Sequence, residues 1–244
     1  MKRFAVGVVM ALAMAGMVAT AQAAPMLPSV GDRIILTDGP GGNGGGEFNA
    51  NVLTPSGGAK GDAVDFITFC LQRSVTIALN TQYYVGDIST ATKPEGDGIS
   101  GGTAYLYTLF SQGSGGPLLY AWTVPITYNS NSYNRESTAS ALQLAFWRLE
   151  EELDANYGNL STLAIRTLAD YYYELAVAST WHQTGNIGNV RVLNLYANRS
   201  GTEGNYSYSG DRQNQLTLVP EPASMLLLGA GLLGLAARVR RRAQ

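Results

Sequence analysis

The chain has 244 residues, and 45% of them are hydrophobic, a share typical of folded globular proteins. A single cysteine excludes an intramolecular disulfide framework and a cysteine-based zinc site, and a single histidine excludes a multi-histidine metal centre. A formal net charge of −2 argues against nucleic-acid binding, so we expect no nucleic-acid partner. We also expect no metal and no cofactor.

The first 23 residues have the three parts of a secretory signal peptide. Lys2 and Arg3 precede an apolar run over residues 4–19, and Ala21-Gln22-Ala23 forms a small-residue cleavage site. A transmembrane anchor is the alternative, but the run is short and ends at the small residues. We therefore predict export by the Sec route with cleavage after residue 23.

Several stretches of the mature chain are rich in β-branched and aromatic residues, which is typical of strands. They are residues 34–36, 64–71, 75–79, 190–196 and 215–219, with a further strand-like run inside 118–128. Both faces of the 64–71 stretch are largely apolar, which predicts a central, covered strand. Between the first two strands, the glycine-rich segment 39–46 is interpreted as a solvated loop.

Three helices are predicted in the middle of the chain. The first is short and covers residues 101–110. The second is capped by Ser137 or Thr138 and runs to residue 156. The third covers residues 160–180.

The second and third helices each carry an apolar stripe at helical spacing. The two stripes are Leu142, Phe146, Leu149 and Leu153, and then Ala164, Leu168, Tyr171 and Leu175. The acidic residues that follow the first stripe, Glu150, Glu151, Glu152 and Asp154, lack the spacing of an EF-hand and are interpreted as a solvated end.

Strands, then helices, then strands again indicate an α+β fold rather than alternating βαβ units. We predict a single mature domain with β-sandwich or barrel-like strands and an inserted helical section. An N-terminal strand and glycine-rich region would cover residues 24–59, and the main domain residues 60–218. Without its two ends, the chain keeps ten basic and seventeen acidic residues, a formal charge of −7.

The C-terminal tail has three features in a fixed order. Val219-Pro220-Glu221-Pro222 leads into an apolar segment at residues 223–237, and an arginine cluster ends the chain within 238–242. The cluster consists of Arg238, Arg240, Arg241 and Arg242. A helix of this length spans about 22 Å, slightly short for a bilayer core, and the arginines would stay on the cytoplasmic side.

This tail, residues 219–244, resembles the PEP-CTERM sorting tails of exported proteins in Gram-negative bacteria that make extracellular polysaccharide. The resemblance implies that a membrane protease, exosortase, recognises and removes the tail. The protein would be held transiently in the inner membrane and would then reach the cell surface or the extracellular matrix.

The lone Cys70 has four possible roles in an exported protein. It is a buried small hydrophobe, an intermolecular disulfide partner, a catalytic thiolate, or a residue bonded to another side chain. A catalytic thiolate would need His182 as its base, but no cysteine-protease motif surrounds Cys70. His182 is interpreted as a surface residue.

Gln143 favours the fourth role. It lies at the edge of the apolar stripe of the second helix, where it can meet a strand packed against that helix. An amide in so apolar a run must be hydrogen-bonded or chemically consumed. A facing thiol could attack the amide carbonyl and expel ammonia, which would leave a thioester.

The surrounding motifs resemble those of the thioester domains of bacterial surface adhesins over about residues 60–200. The strand motif is Phe69-Cys70-Leu71, and the helix motif is Gln143-Leu144-Ala145-Phe146-Trp147. Phe146 stands where isoleucine is more usual in these domains, and Leu142 precedes the glutamine in place of threonine or valine. Both changes keep an apolar residue.

The resemblance implies a Cys70–Gln143 thioester, shielded by aromatic residues and used once to attach the protein covalently to an amine- or hydroxyl-bearing polymer. The function would be adhesion in a biofilm matrix rather than enzymatic turnover. The alternative is a non-covalent structural or carbohydrate-binding protein of the exopolysaccharide matrix, in which exposed tyrosines such as Tyr206 and Tyr208 stack on sugars.

Overall fold

The computed structural model describes residues 27–42, 46–58, 64–153 and 161–219. The predicted signal peptide, most of the sorting tail and its apolar segment therefore lie outside the described residues. Within the described part of the chain, no helix is long and apolar enough to cross a membrane.

Six strands form one sheet, and neighbouring strands pair antiparallel. In chain order they are β1 (Arg33–Asp38), β2 (Phe48–Leu53), β3 (Phe66–Thr68), β4 (Gln82–Ser89), β7 (Val190–Thr202) and β8 (Asn205–Leu218). Their order across the sheet is β3-β2-β1-β4-β7-β8. A separate hairpin is made by β5 (Ile126–Tyr128) and β6 (Asn131–Tyr133).

The two ends of this sheet meet just after β3. Cys70 forms an antiparallel bridge with Gln215 of β8. The Leu71 amide donates to the carbonyl of Asn214 at 3.0 Å, and the Leu216 amide donates to the carbonyl of Phe69 at 3.1 Å. These bonds join the two ends of the sheet, and the predicted mixed helix and sheet class is confirmed.

In the described residues, the middle of the chain forms four α-helices, with the β5–β6 hairpin between the first and the second. They are α1 (Gly101–Ser111), α2 (Arg135–Leu149), α3 (Leu163–Val177) and α4 (Thr180–Thr184). Each begins at a side chain that accepts a hydrogen bond from the backbone of its first turn. For α2 this cap is Asn134, whose side chain accepts from the Ser137 amide at 2.9 Å, so the predicted cap at Ser137 or Thr138 is wrong.

The predicted helix boundaries are also corrected. The α2 helix ends at Leu149 rather than at residue 156, and the predicted helix over 160–180 is two helices, since α4 begins separately at Thr180. In α3 the fully buried residues are Leu168, Ala169, Tyr172 and Ala176. The predicted stripe shares only Leu168 with this set, and its other members, Ala164, Tyr171 and Leu175, are partly buried against the same cluster.

Two hydrophobic clusters lie on opposite faces of the sheet. One is formed with the helices and includes Phe69, Leu71 and Leu216 together with the α2 stripe, which is buried as predicted. The other lies on the opposite face and includes Ile34, Leu36, Val85, Leu193 and Leu195. Since side chains alternate along a strand, Cys70 faces the side opposite Phe69 and Leu71.

The segment 75–79 was expected to be a strand but pairs with no strand in the described structure. Its Ile77 and Leu79 pack against the second cluster. The Tyr83 hydroxyl accepts from the Ala78 amide at 2.8 Å and donates to the Ala78 carbonyl at 3.1 Å. Its alternating apolar residues therefore reflect burial rather than pairing.

The acidic residues after α2 are not all solvated. Glu150 is largely buried and accepts a hydrogen bond from the Ser100 amide at 3.0 Å, at the start of α1. Burial raises the pKa of its carboxyl above the ordinary value, and hydrogen bonds from Thr103 and Ser100 oppose that rise. Glu152 accepts a hydrogen bond from the Arg73 amide at 3.1 Å. Two of these acids therefore connect the end of α2 to other segments, Glu150 to the start of α1 and Glu152 to the chain at Arg73.

Candidate functional site

Cys70 lies two residues beyond β3, where the chain stops pairing with β2. The pairing of β2 with β3 ends at Phe48 and Thr68, while on the other side the chain bridges β8 at Cys70. The backbone N–H and C=O of Cys70 therefore face a gap that β2 no longer fills. Buried backbone groups need hydrogen-bond partners, so another element must supply them.

Gln143 of α2 supplies both partners. The Cys70 amide donates to Gln143 Oε1 at 3.0 Å, and Gln143 Nε2 donates to the Cys70 carbonyl at 2.7 Å. Gln143 is only 2% exposed, and Cys70 is 3% exposed. The predicted meeting of these two residues is present, with the carboxamide lying against the main chain of the cysteine.

The sulfur of Cys70 faces two other glutamines, both on β8. The thiol donates to Gln213 Oε1 at 2.7 Å, and Gln215 Nε2 lies 3.5 Å from Sγ. Burial raises the pKa of the Cys70 thiol to about 12, and the hydrogen bond from Gln215 opposes that rise. The thiol is therefore protonated at neutral pH.

A chain of amides continues from the sulfur to the surface. Gln213 Nε2 donates to the Gln72 carbonyl at 2.6 Å, and Gln72 Nε2 donates to Glu95 Oε2 at 2.6 Å. Gln72 is buried and Glu95 is exposed. Sequence reasoning missed Gln72, Gln213 and Gln215. The one available signal was the run Gln213-Asn214-Gln215 inside a stretch otherwise typical of a strand.

The aromatic neighbours predicted to shield the site lie on the helical side of Cys70. Phe69 is fully buried and meets Phe146 edge-on, with ring centroids 5.2 Å apart. Leu71 and Ala145 are buried in the same cluster, and Trp147 is partly buried against it. These residues separate the cysteine segment from solvent on that face.

The start of α2 is fixed by a buried carboxylate. Glu47 is fully buried and accepts from Arg135 Nε at 2.9 Å, from the Tyr120 hydroxyl at 2.5 Å and from the Gly41 amide at 3.0 Å. Arg135 is the first residue of α2. This ion pair connects the helix that carries Gln143 to the loop before β2, and so helps to set where the carboxamide lies.

His182 lies in α4, where its ring is next to Gly102 at the start of α1. Within the described residues, the recorded hydrogen-bond partners of the Cys70 sulfur are Gln213 and Gln215. The structure therefore does not bring His182 to the thiol. No group of three or more metal-binding side chains occurs in the described part of the chain.

Tyr206 and Tyr208 lie on the long β7–β8 hairpin. The guanidinium of Arg199 stacks on Tyr206 at 4.0 Å and on Tyr84 at 4.8 Å, measured to the ring centroids. Arg199 also donates to the carbonyls of Gly31 and Pro55. These contacts fasten the hairpin to the body of the protein, and they occupy one face of Tyr206.

The structure thus defines an α+β domain whose lone cysteine is buried among side-chain amides. Comparison with known families adds the identity of the tail: residues 218–242 match the PEP-CTERM protein-sorting motif. The tail therefore marks an exported protein of Gram-negative type that an exosortase processes at the membrane, as predicted. No curated protein and no solved structure matches the chain.

Proposed function

We propose that Cys70 and Gln143 form an internal thioester, which attaches this exported surface or matrix protein covalently to a partner that bears an amine or a hydroxyl. The observation that carries the proposal is the docking of the Gln143 carboxamide on the main chain of Cys70 through two hydrogen bonds. The resulting activity is adhesion within a biofilm matrix, by single use rather than by turnover.

In the forming step, Cys70 Sγ attacks the carboxamide carbon of Gln143. The C–N bond breaks, the thiol proton passes to the departing nitrogen, and one ammonia leaves for each S–C bond made. The attack requires rotation about the Cα–Cβ bond of Cys70, because the sulfur of the free thiol lies against Gln213 and Gln215 and not against the Gln143 carboxamide. Because both residues belong to one folded chain, proximity supplies much of the rate.

The same hydrogen bonds support the chemistry. The Cys70 amide already donates to Gln143 Oε1, the oxygen on which negative charge develops when the sulfur adds. The Cys70 carbonyl accepts from Nε2, the atom that leaves as ammonia. One backbone segment therefore stabilises the oxyanion and orients the leaving group.

In the attaching step, an amine of the partner adds to the Gln143 acyl carbon. The S–C bond breaks, the amine proton ends on Cys70 Sγ, and the partner stays bound to Gln143 through an amide; a hydroxyl would give an ester. Both side chains are almost fully buried, which protects the thioester from water until a partner reaches it.

The test is the intact mass of the mature exported protein, purified rapidly near neutral pH, beside Cys70→Ala. We expect a mass about 17 Da below the encoded value, which methylamine converts to an adduct about 14 Da above the encoded value; Cys70→Ala should show neither change. Peptide mapping should place the methylamide on Gln143. Gln213, whose carboxamide oxygen contacts the sulfur directly, is the internal control.

A full encoded mass together with a thiol that alkylates after unfolding would contradict the proposal and favour a non-covalent matrix protein. Hydrolysis during purification is recognised separately, since it leaves a carboxylic acid at residue 143 and adds about 1 Da to the encoded mass. A methylamide on Gln213 would retain the crosslink chemistry but reassign its acyl partner.

A further inference from the structure

In the free-thiol form, Gln215 contacts the sulfur atom that leaves with negative charge when a thioester at Cys70 opens. It is fully buried in β8 and bridges Cys70 across the closure of the sheet. Its Nε2 lies 3.5 Å from Cys70 Sγ and donates to the Gln213 carbonyl at 3.3 Å. The second contact fixes the orientation of the Gln215 amide, because an amide turned by about 180° would place Gln215 Oε1 against the carbonyl oxygen of Gln213.

We propose that Gln215 is a catalytic residue of thioester opening, in which its side-chain N–H stabilises the sulfur of Cys70 as the leaving thiolate. The inference rests on the proposed function and assigns a residue to its attaching step. When the partner amine adds to the Gln143 acyl carbon and the S–C bond breaks, the electron pair of that bond goes to the sulfur. The proton lost by the amine then converts the thiolate to the thiol.

Gln213 has the complementary role. Its Nε2 is held by the Gln72 carbonyl, so its Oε1 must face the sulfur, at 2.7 Å. A carbonyl oxygen accepts from a thiol but repels a thiolate. Gln213 therefore binds the protonated product, whereas Gln215 acts earlier, while the charge is developing.

Burial makes a donor at this position valuable. Cys70 is buried, so water contributes little to the stabilisation of a thiolate there, and the thiolate is disfavoured. Of the two recorded partners of Sγ within the described residues, Gln215 is the donor. Hydrogen bonds to charged groups are stronger than those between neutral groups, so we expect a loss of about tenfold in rate when this one is removed.

The test is the rate of methylamine addition to the crosslinked mature protein, followed by intact mass. Gln215→Met keeps a side chain of similar length without the donor, and Gln215→Asn keeps an amide that is too short to reach the sulfur. The control is Thr217→Val, which changes a fully buried polar residue two positions along the same strand. We expect both Gln215 variants to react about tenfold more slowly than the unsubstituted protein and Thr217→Val to be unchanged.

The direction of the change separates a catalytic role from a structural one, because loosened packing would admit amine and water and speed the reaction. A crosslinked Gln215→Met or Gln215→Asn protein that reacts at the original rate, or faster, would overturn the inference and leave the proposed function intact. A variant that folds but never forms the crosslink supports the inference, because the same N–H is then needed for the reverse, bond-forming chemistry. If the unsubstituted protein shows no mass deficit, the proposed function fails, and this inference with it.

Discussion

Gln143 makes both of the hydrogen bonds to the main chain of Cys70 that a neighbouring strand would make. The side-chain amide accepts from the cysteine N–H and donates to its C=O, at a point where β2 no longer pairs with β3. A glutamine can do this because its amide presents a donor and an acceptor side by side, as a peptide group does. The contact joins α2 to the sheet before any covalent bond forms.

The first prediction separates this hydrogen bonding from the crosslink. In a Cys70→Ala background no thioester can form, yet the backbone bonds to Gln143 remain. Adding Gln143→Met should then lower the free energy of unfolding by about 2–4 kcal/mol, because two buried backbone groups lose their partners. The measurement is denaturant unfolding of the single and the double variant, and equal stabilities would show that the carboxamide contact contributes nothing.

The second prediction concerns the uncrosslinked thiol. Burial raises the pKa of Cys70 from its ordinary value of 9.0 to about 12, so folding favours the protonated form. The stability that this contributes is complete below pH 9 and is lost as the pH rises toward 12. A Gln143→Met protein should therefore lose stability across this range relative to Gln143→Met/Cys70→Ala, as measured by urea unfolding at several pH values. Parallel curves for the two proteins would show that the thiol is not buried in this way.

The third prediction tests the buried ion pair at the start of α2. Arg135→Met leaves the carboxylate of Glu47 buried without its cation, and we expect a loss of about 3–5 kcal/mol in the free energy of unfolding. Glu47→Gln/Arg135→Met should recover part of that loss, because no buried charge remains. Additive effects in this double-mutant cycle would argue against a direct pairing of the two side chains.

The fourth prediction concerns the stack on the β7–β8 hairpin. Arg199→Lys removes a planar cation from between Tyr84 and Tyr206 and cannot keep both carbonyl bonds, so we expect a loss of about 1–3 kcal/mol in stability. Arg212→Lys, whose recorded hydrogen bond goes to the adjacent Asp211 carbonyl, is the matched control on the same hairpin. Equal melting temperatures for the two variants would contradict a fastening role for Arg199.

Helical periodicity was sufficient to place Gln143 at the edge of the buried face of its helix, and the motif resemblance paired it with Cys70; the structure brings the two residues together. It was not sufficient to place the sulfur. The partners Gln213 and Gln215 come from the last strand, and only the closure of the sheet, through contacts distant in sequence, brings that strand beside Cys70. Local patterns carry no information on such a pairing.

Two errors in the predicted strands have related causes: β2 was not predicted, and residues 75–79 were predicted as a strand but do not pair with a strand of the described chain. The β2 strand alternates buried Phe48, Ala50 and Val52 with half-buried asparagines, a pattern of period two that its polar residues obscured. The segment 75–79 has similar alternation, but its apolar residues cover a cluster while Tyr83 satisfies the backbone of Ala78. Alternation therefore reports which residues are buried, whereas pairing depends on whether a neighbouring strand is available.

The last strand has a mechanical consequence. β8 ends at Leu218, where the sorting motif begins, and Gln215 lies three residues before that end. When a partner is attached at Gln143 and the chain is held at the C-terminal end of β8, tension enters through β8 and leaves through α2. These two elements meet at the Cys70 segment, so the direct path of the load runs through a short part of the molecule.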